Sequence, residues 1–466
     1  MRRARFGSSR LSLLLLAFAA LLPGRTAADE AAAGRILGAA LTESRAYAKL
    51  THLTDRIGHR LSGSEGLEKA VTWTAAEFKR DGVDRVWTES VMVPHWVRGP
   101  ESARIVLPVD REIPVLTLGG SVGTPDGGLS AEVIVVESIA ELEEAGIAAH
   151  GKIVLFNKAM QAGFGAEVGY GSVVGMRTRG ASEAARLGAV GMLIRSLGTA
   201  DFRLPHTGAL RYADDAPRIP AAAISAEDAE LIRRLSDAGD DVRVRLNLGA
   251  LQLPDAESAN VIAELPGREL PEEIVLIGAH LDSWDVGHGA HDDGTGCVVV
   301  METLRLLRKL GLEPRRTIRA VLFTNEENGL RGATDYAERH ADDHHVVAIE
   351  MDGGGFSPLG FGITAGPGGV EMIEAISKQL EGIGASQVFP RGGGADISPL
   401  RKKGVPVMGL VVEPTRYFDY HHSEADTLDK VDRRELDRNV AAMTVMAWSL
   451  AELDGTLPES LPEIEE

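Results

Sequence analysis

The stretch GAHLDSWDVGHGAHDDGTGCVVVMETLRLL, from Gly278 to Leu307, constrains the fold more than any other part of the sequence. It leaves the apolar run IVLI, passes through a loop of Gly, Asp and His, and enters an apolar helix. A strand handed to a helix through such a loop belongs to an α/β sheet, whose functional crevice lies beyond the strand ends. Within the loop, His280, Asp282, Asp292 and Asp293 offer oxygen and nitrogen donors suited to a divalent metal. Asp293 stands where a side chain caps the following helix, which is expected over 293–310 with its first turns buried and its last turns half exposed.

The rest of the chain alternates in the same way. Residues 30–80 read mostly as helix, interrupted by the turn-rich LSGSEG, and VDRVWTESVMVPHW reads as a strand. A Gly-rich entry, TLGGSVGTPDGG, then opens a block of short strands and helices that ends with DVRVRLNLG near residue 249. At about 130 residues it is large enough to fold on its own. The runs SANVIAEL, EEIVLIGAHLD, TIRAVLFTNEE, VVAIEMD and VPVMGLVVE follow, with helices near 369–382 and 433–453. They predict a mostly parallel sheet with helices on both faces. The expected division is 1–28 as leader, 29–118 and 250–466 as two parts of one domain, and 119–249 as an insertion. The acidic tail LPESLPEIEE is expected to fray.

The leader reading rests on Arg2, Arg3, Arg5 and Arg10 ahead of LSLLLLAFAALL, with small residues Ala27 and Ala28 after it. Cleavage there sends the protein out of the cytoplasm, secreted or periplasmic, and no second apolar run approaches membrane-spanning length. Cys297 is the single cysteine, so no intrachain disulfide forms, and its place in an apolar helix makes it a core residue. The formal charge of -19 grows more negative once a leader with five arginines is removed. Such a surface repels nucleic acid and anionic membrane.

Further candidates stand after later strands: Glu326 and Glu327 after VLFTN, Asp352 after VVAIEM, Asp396 in RGGGADIS, and His421 and His422 in YHHSEADT. Two metal ions need a shared carboxylate plus further ligands for each, and a mixture of His with Asp or Glu suits zinc. Each residue alone has an ordinary reading as well. The glutamate pair could be a solvated turn, His288 and His291 are loop histidines, and Trp284 either walls a pocket or packs. Asp396 either lines the pocket or orders a Gly-rich loop.

The motifs HLDSWDVG, GAHDDGTG, NEENG, EMDGG and YHHSEADT, in this order, resemble those of the M28 family of di-zinc peptidases. The resemblance implies a zinc exopeptidase-like fold, with the inserted block as a protease-associated domain. It implies two zinc ions per chain, with Asp292 bridging them, His280 and Asp352 completing one site, and Glu327 and His422 the other. The choice of His422 over His421 follows the family spacing to Asp426 and Thr427. Glu326 would be the general base, and Asp282 would accept a hydrogen bond from the second ring nitrogen of His280. The implied substrates are short peptides, dipeptides foremost, and the implied assembly is a homodimer. Alternatives are an aminopeptidase of the same family, a glutaminyl cyclase-like enzyme with one zinc, and a non-catalytic binding protein.

Overall fold

The computed structural model describes residues 27–162, 168–200 and 202–460. Two eight-stranded sheets organise them. In the first, the spatial order is Arg85–Val97, Leu251–Leu265, Arg316–Phe323, Leu270–His280, His344–Glu350, Val407–Val412, Pro358–Thr364 and Gln387–Pro390. The four strands from Arg316–Phe323 to Val407–Val412 run parallel to one another. Antiparallel pairs join them to Leu251–Leu265 on one side and to Pro358–Thr364 on the other. The sheet is therefore mixed, not mostly parallel as the alternation of elements predicted. Periodicity cannot tell a buried parallel strand from an antiparallel one that is equally covered.

The parallel centre forms because its strands are apolar on both faces. Arg316–Phe323 is buried along its whole length, as is the run Ile274 to His280. One face packs against the helices Ala27–Glu43, Thr295–Lys309 and Arg433–Ala451. The other face packs against Arg331–Arg339 through Ala333, Tyr336 and Ala337. The helix Thr295–Lys309 is buried from Thr295 through Leu307 and emerges only at Arg308 and Lys309. Glycine at position 278 lets Phe323 of the neighbouring strand lie close, since a Cβ there would sit 2.8 Å from its ring.

The second sheet is built from chain between Glu101 and Leu248. Its central strands, Leu129–Val136, Ile153–Phe156, Gly191–Arg195 and Ala221–Ile224, are parallel, and antiparallel strands flank them. This sheet is mixed too. Val174–Arg186 covers one face and Ala226–Asp237 the other. The chain leaves the first sheet at Val97 and returns at Leu251, and these two residues are paired across an antiparallel ladder.

Residues 1–26 of the leader expected over 1–28 lie outside the described residues, as do 461–466 of the tail. The start of the tail does not fray as expected. Leu457 and Ser460 are buried, and the Ser460 hydroxyl donates to the carbonyls of Thr364 and Val405. No helix among the described residues is long and apolar enough to cross a membrane.

Candidate metal centre

Because the four central strands are parallel and in register, they end at one edge. His280 pairs with Phe323, and Gly278 with Glu350, which in turn pairs with Gly409. His280 is the last residue of its strand, Glu326 and Glu327 follow Phe323, and Asp352 follows Glu350. His421 and His422 come after the strand Val407–Val412 and a short helical turn. Residues distant in sequence thus meet at one crevice, as the open-sheet rule requires.

Asp292 sits at the centre. Its Oδ1 is 3.2 Å from His280 Nε2 and its Oδ2 is 3.3 Å from His422 Nε2. His280 Nε2 also lies 3.5 Å from Asp352, and His422 Nε2 lies 3.0 Å from Glu327. The five residues expected as ligands are therefore brought together, with Asp292 between two groups. Donor atoms of His280, Asp292 and Asp352 lie within 4.8 Å of one another, as do those of Asp292, His421 and His422.

The donor set fits cations. His280 turns Nδ1 to the Asp282 carbonyl at 3.0 Å, and His422 turns Nδ1 to the Thr207 carbonyl at 3.3 Å. A carbonyl only accepts, so the hydrogen of His280 belongs on Nδ1 and its Nε2 is free to ligate; His422 Nδ1 faces the Thr207 carbonyl and, slightly farther at 3.5 Å, the Arg177 guanidinium, which leaves its Nε2 toward the acids. His280 Nε2, Asp292 Oδ2 and Asp352 Oδ1 are buried without a hydrogen-bond partner. Buried polar atoms left unpaired are costly, and a shared pair of divalent ions would satisfy all three.

The electrostatics agree. Burial pushes Glu327 up to about 7, with repulsion from Asp292 added. Burial raises Glu326 well above the usual carboxylate range, and Asp352 and Glu327 add repulsion. Asp292 is buried as well, yet the two histidines beside it, His280 and His422, draw it well below the usual carboxylate range. The acids outnumber the cations available to them, so binding a metal means displacing protons.

Asp282 does something other than expected. Its carboxylate is 3.8 Å from His280 Nδ1, which uses the backbone carbonyl instead. The carboxylate accepts the backbone N–H groups of Glu326 at 3.0 Å and Glu327 at 3.2 Å. It fixes the turn that carries the glutamate pair. Asp293 caps the following helix as expected, accepting from Gly296 N at 2.9 Å, and also from His280 N at 3.2 Å.

The remaining candidates separate clearly. His291 is stacked on Phe356 with ring centroids 4.3 Å apart, and its Nδ1 accepts from Gly355, so it is a packing residue. His288 supplies its carbonyl to Arg60. Trp284 both packs and walls the site, with its ring edge against His422 and its backbone N–H donating to the Glu327 carboxylate at 3.2 Å. Cys297 lies in the core and donates its thiol to the His280 carbonyl. Asp396 is buried near Glu350 and Glu326, and burial raises it well above its ordinary value.

Three supporting residues have contacts that the sequence did not reveal, although Asp426 stands within the motif YHHSEADT. Asp426 accepts the backbone N–H groups of His291 at 2.7 Å and Asp292 at 3.1 Å, holding the central carboxylate. Arg60, fully buried, donates to the carbonyls of Gly58, Leu281, His288 and Gly289, binding the metal loop to the turn LSGSEG. Arg177 reaches from the second sheet's helix to within 3.5 Å of His422 Nδ1. Their partners are backbone atoms or distant segments, which spacing does not encode.

Residues 260–447 match the model of peptidase family M28. Carboxypeptidase Q of Xenopus laevis is 40% identical over 418 residues, covering 89% of this chain and 88% of that protein. The chain belongs to peptidase family M28. Human carboxypeptidase Q is 39% identical over 420 residues, 90% of this chain and 88% of its own. The M28 chain also superposes on a peptidase M28 precursor from Shewanella amazonensis with a TM-score of 0.91 at 38% identity, covering 94% of one chain and 99% of the other. A zinc aminopeptidase from Bacillus subtilis shares the fold at a TM-score of 0.66 and 19% identity, with 89% and 96% covered. As an M28 member, this protein is a metallopeptidase.

Proposed function

We propose that this peptidase is an exported di-zinc exopeptidase that hydrolyses short peptides, dipeptides foremost. One observation carries the reading. The acids and histidines of the metal centre form one side of a cleft of about 500 Å³, and Arg177, Arg179 and Arg211 from the second sheet's chain line another. No ion pair joins these arginines to an acid among the described residues, so the cleft offers cations a short distance from the reacting centre. A small peptide with a free terminal carboxylate fits that distribution of charge.

His280, Asp292 and Asp352 would hold one zinc, and Asp292, Glu327 and His422 the other. The pair, when bound, supplies Lewis acidity that activates water and stabilises charge on the scissile carbonyl oxygen. Glu326 lines the cleft beside them and takes the proton from the attacking water, then gives it to the departing amine. Its raised proton affinity suits both transfers. Asp282 keeps it in place through the backbone. The second sheet is read as a protease-associated domain that narrows the cleft, and the relatives' name, carboxypeptidase Q, supports action next to a free carboxylate. A leader over residues 1–28, secretion or export to a periplasm, and a homodimer complete the reading. Nucleic acid and membrane are not expected partners of so acidic a chain.

The test compares a dipeptide, its C-terminal amide and its N-acetyl derivative as substrates. The free dipeptide should have the highest kcat/KM, and the amide should lose at least about tenfold, about 1.4 kcal/mol. Equal hydrolysis of free acid and amide would remove the role given to the arginines.

A further inference from the structure

We infer that the chain of the second sheet is part of the metal centre: through His206 and Thr207 it positions His422, and so sets the cation affinity of the Asp292–Glu327–His422 site. The inference rests on the di-zinc reading above, and it assigns a role in that reading to residues that touch neither substrate nor metal.

His422 needs such support. It is a non-glycine residue with φ of 59°, in the left-handed region that β-carbon sterics disfavour. It follows a short helical turn, Tyr417–Tyr420, rather than a sheet ladder. What holds it comes from the other sheet. Thr207 N donates to the His422 carbonyl at 2.9 Å, and the Thr207 carbonyl faces His422 Nδ1 at 3.3 Å. One residue therefore holds both the backbone and the ring of the ligand.

The neighbouring contacts extend the seam. His206 Nδ1 lies 2.7 Å from the His421 carbonyl, and Thr199 N donates to the Phe418 carbonyl at 3.1 Å while its hydroxyl donates to Asp419 at 2.6 Å. His206 is buried, and burial pushes it down to about 4, so it is a neutral imidazole with its hydrogen on Nδ1. Thr207 is itself anchored, its hydroxyl donating to the Thr117 carbonyl at 2.9 Å. The first metal group has no such dependence: His280 is oriented by Asp282 and Asp293, all within the first sheet's own segment.

His206 and Thr207 are thus positioning residues for one metal group and not the other. Removing an outer partner of a metal ligand costs about 10- to 100-fold in metal affinity. The experiment measures the two zinc dissociation constants of the full chain by chelator competition, for wild type, His206→Ala and His206→Asn. Asparagine places an N–H donor close to where Nδ1 stood. His206→Ala should weaken one of the two zinc ions by about 10- to 100-fold and leave the other unchanged, and His206→Asn should recover most of the loss. Two unchanged constants in His206→Ala, or equal weakening of both sites in both variants, would overturn the inference. If His206→Ala does not fold, Thr199→Val decides, since it cuts the seam at Asp419 and should weaken the same single site. Unchanged constants there would count against the inference equally. A wild-type protein that binds no zinc would instead refute the di-zinc reading.

Discussion

The backbone N–H of Glu326 donates to the carboxylate of Asp282 at 3.0 Å, tying the turn after one central strand to the loop after its neighbour. The same carboxylate takes the N–H of Glu327, so one buried acid fixes both members of the glutamate pair. Asp282→Ala should release them together. Turnover should fall by about 10- to 100-fold with weaker zinc retention, read by steady-state kinetics beside metal analysis. Loss of turnover with full zinc affinity would mean that Asp282 serves Glu326 alone.

Glu326→Gln keeps the size of the side chain and removes its proton-accepting ability. With the proposed ligands untouched, zinc content should stay at the wild-type level while kcat drops by about 10²- to 10⁴-fold. Near-normal turnover would remove Glu326 from the role of base.

Among the described residues Arg60 has no carboxylate partner at hydrogen-bond distance; its guanidinium is spent on four backbone carbonyls. Arg60→Met leaves those acceptors buried and unpaired, at about 1–3 kcal/mol for each that water cannot reach. A loss of about 3–5 kcal/mol in urea unfolding is expected, and Arg60→Lys should recover part of it because one ammonium cannot serve four divergent acceptors.

Burial pushes His345 down to about 4, and its Nε2 lies 2.9 Å from the Tyr336 hydroxyl. The unfolded chain takes up a proton here below about pH 6.5, whereas the folded chain does not until about 4. The neutral ring therefore contributes stability that is complete above about 6.5 and lost as pH falls toward 4. Relative to His345→Gln, the wild type should lose up to about 1.4 kcal/mol more per pH unit across that window. Parallel pH profiles for the two proteins would show that His345 does not titrate on unfolding.

The five proposed ligands and Glu326 were legible in the sequence because each stands in a short motif just past an apolar run, and the sheet delivers such positions to a common edge. Helices and strands were legible for the same reason of period and burial. Strand direction was not: Pro358–Thr364 and the inner half of Leu251–Leu265 are covered much like parallel strands, and only their partners reveal that they run the other way. Asp282 lies beside the proposed ligands, but His280 Nδ1 meets its backbone carbonyl and not its carboxylate, and a carbonyl two residues along leaves no trace in the residue types. Arg60, His206 and Thr207 escaped notice, and Asp426 was read only as a spacing marker, because their work is done on peptide groups, which are the same at every position.

Val97 and Leu251, where the chain departs from the first sheet and rejoins it, face each other across one ladder. In covalent terms the entire second sheet is the loop of a single β-hairpin. A loop can grow, shrink or be exchanged without redrawing the sheet that bears it, which makes this segment the natural place for related peptidases to differ in what they accept. The contacts of His206 and Thr207 set a limit on that freedom: any replacement loop must bring back a carbonyl for His422, or lose the affinity of one metal site along with the old specificity.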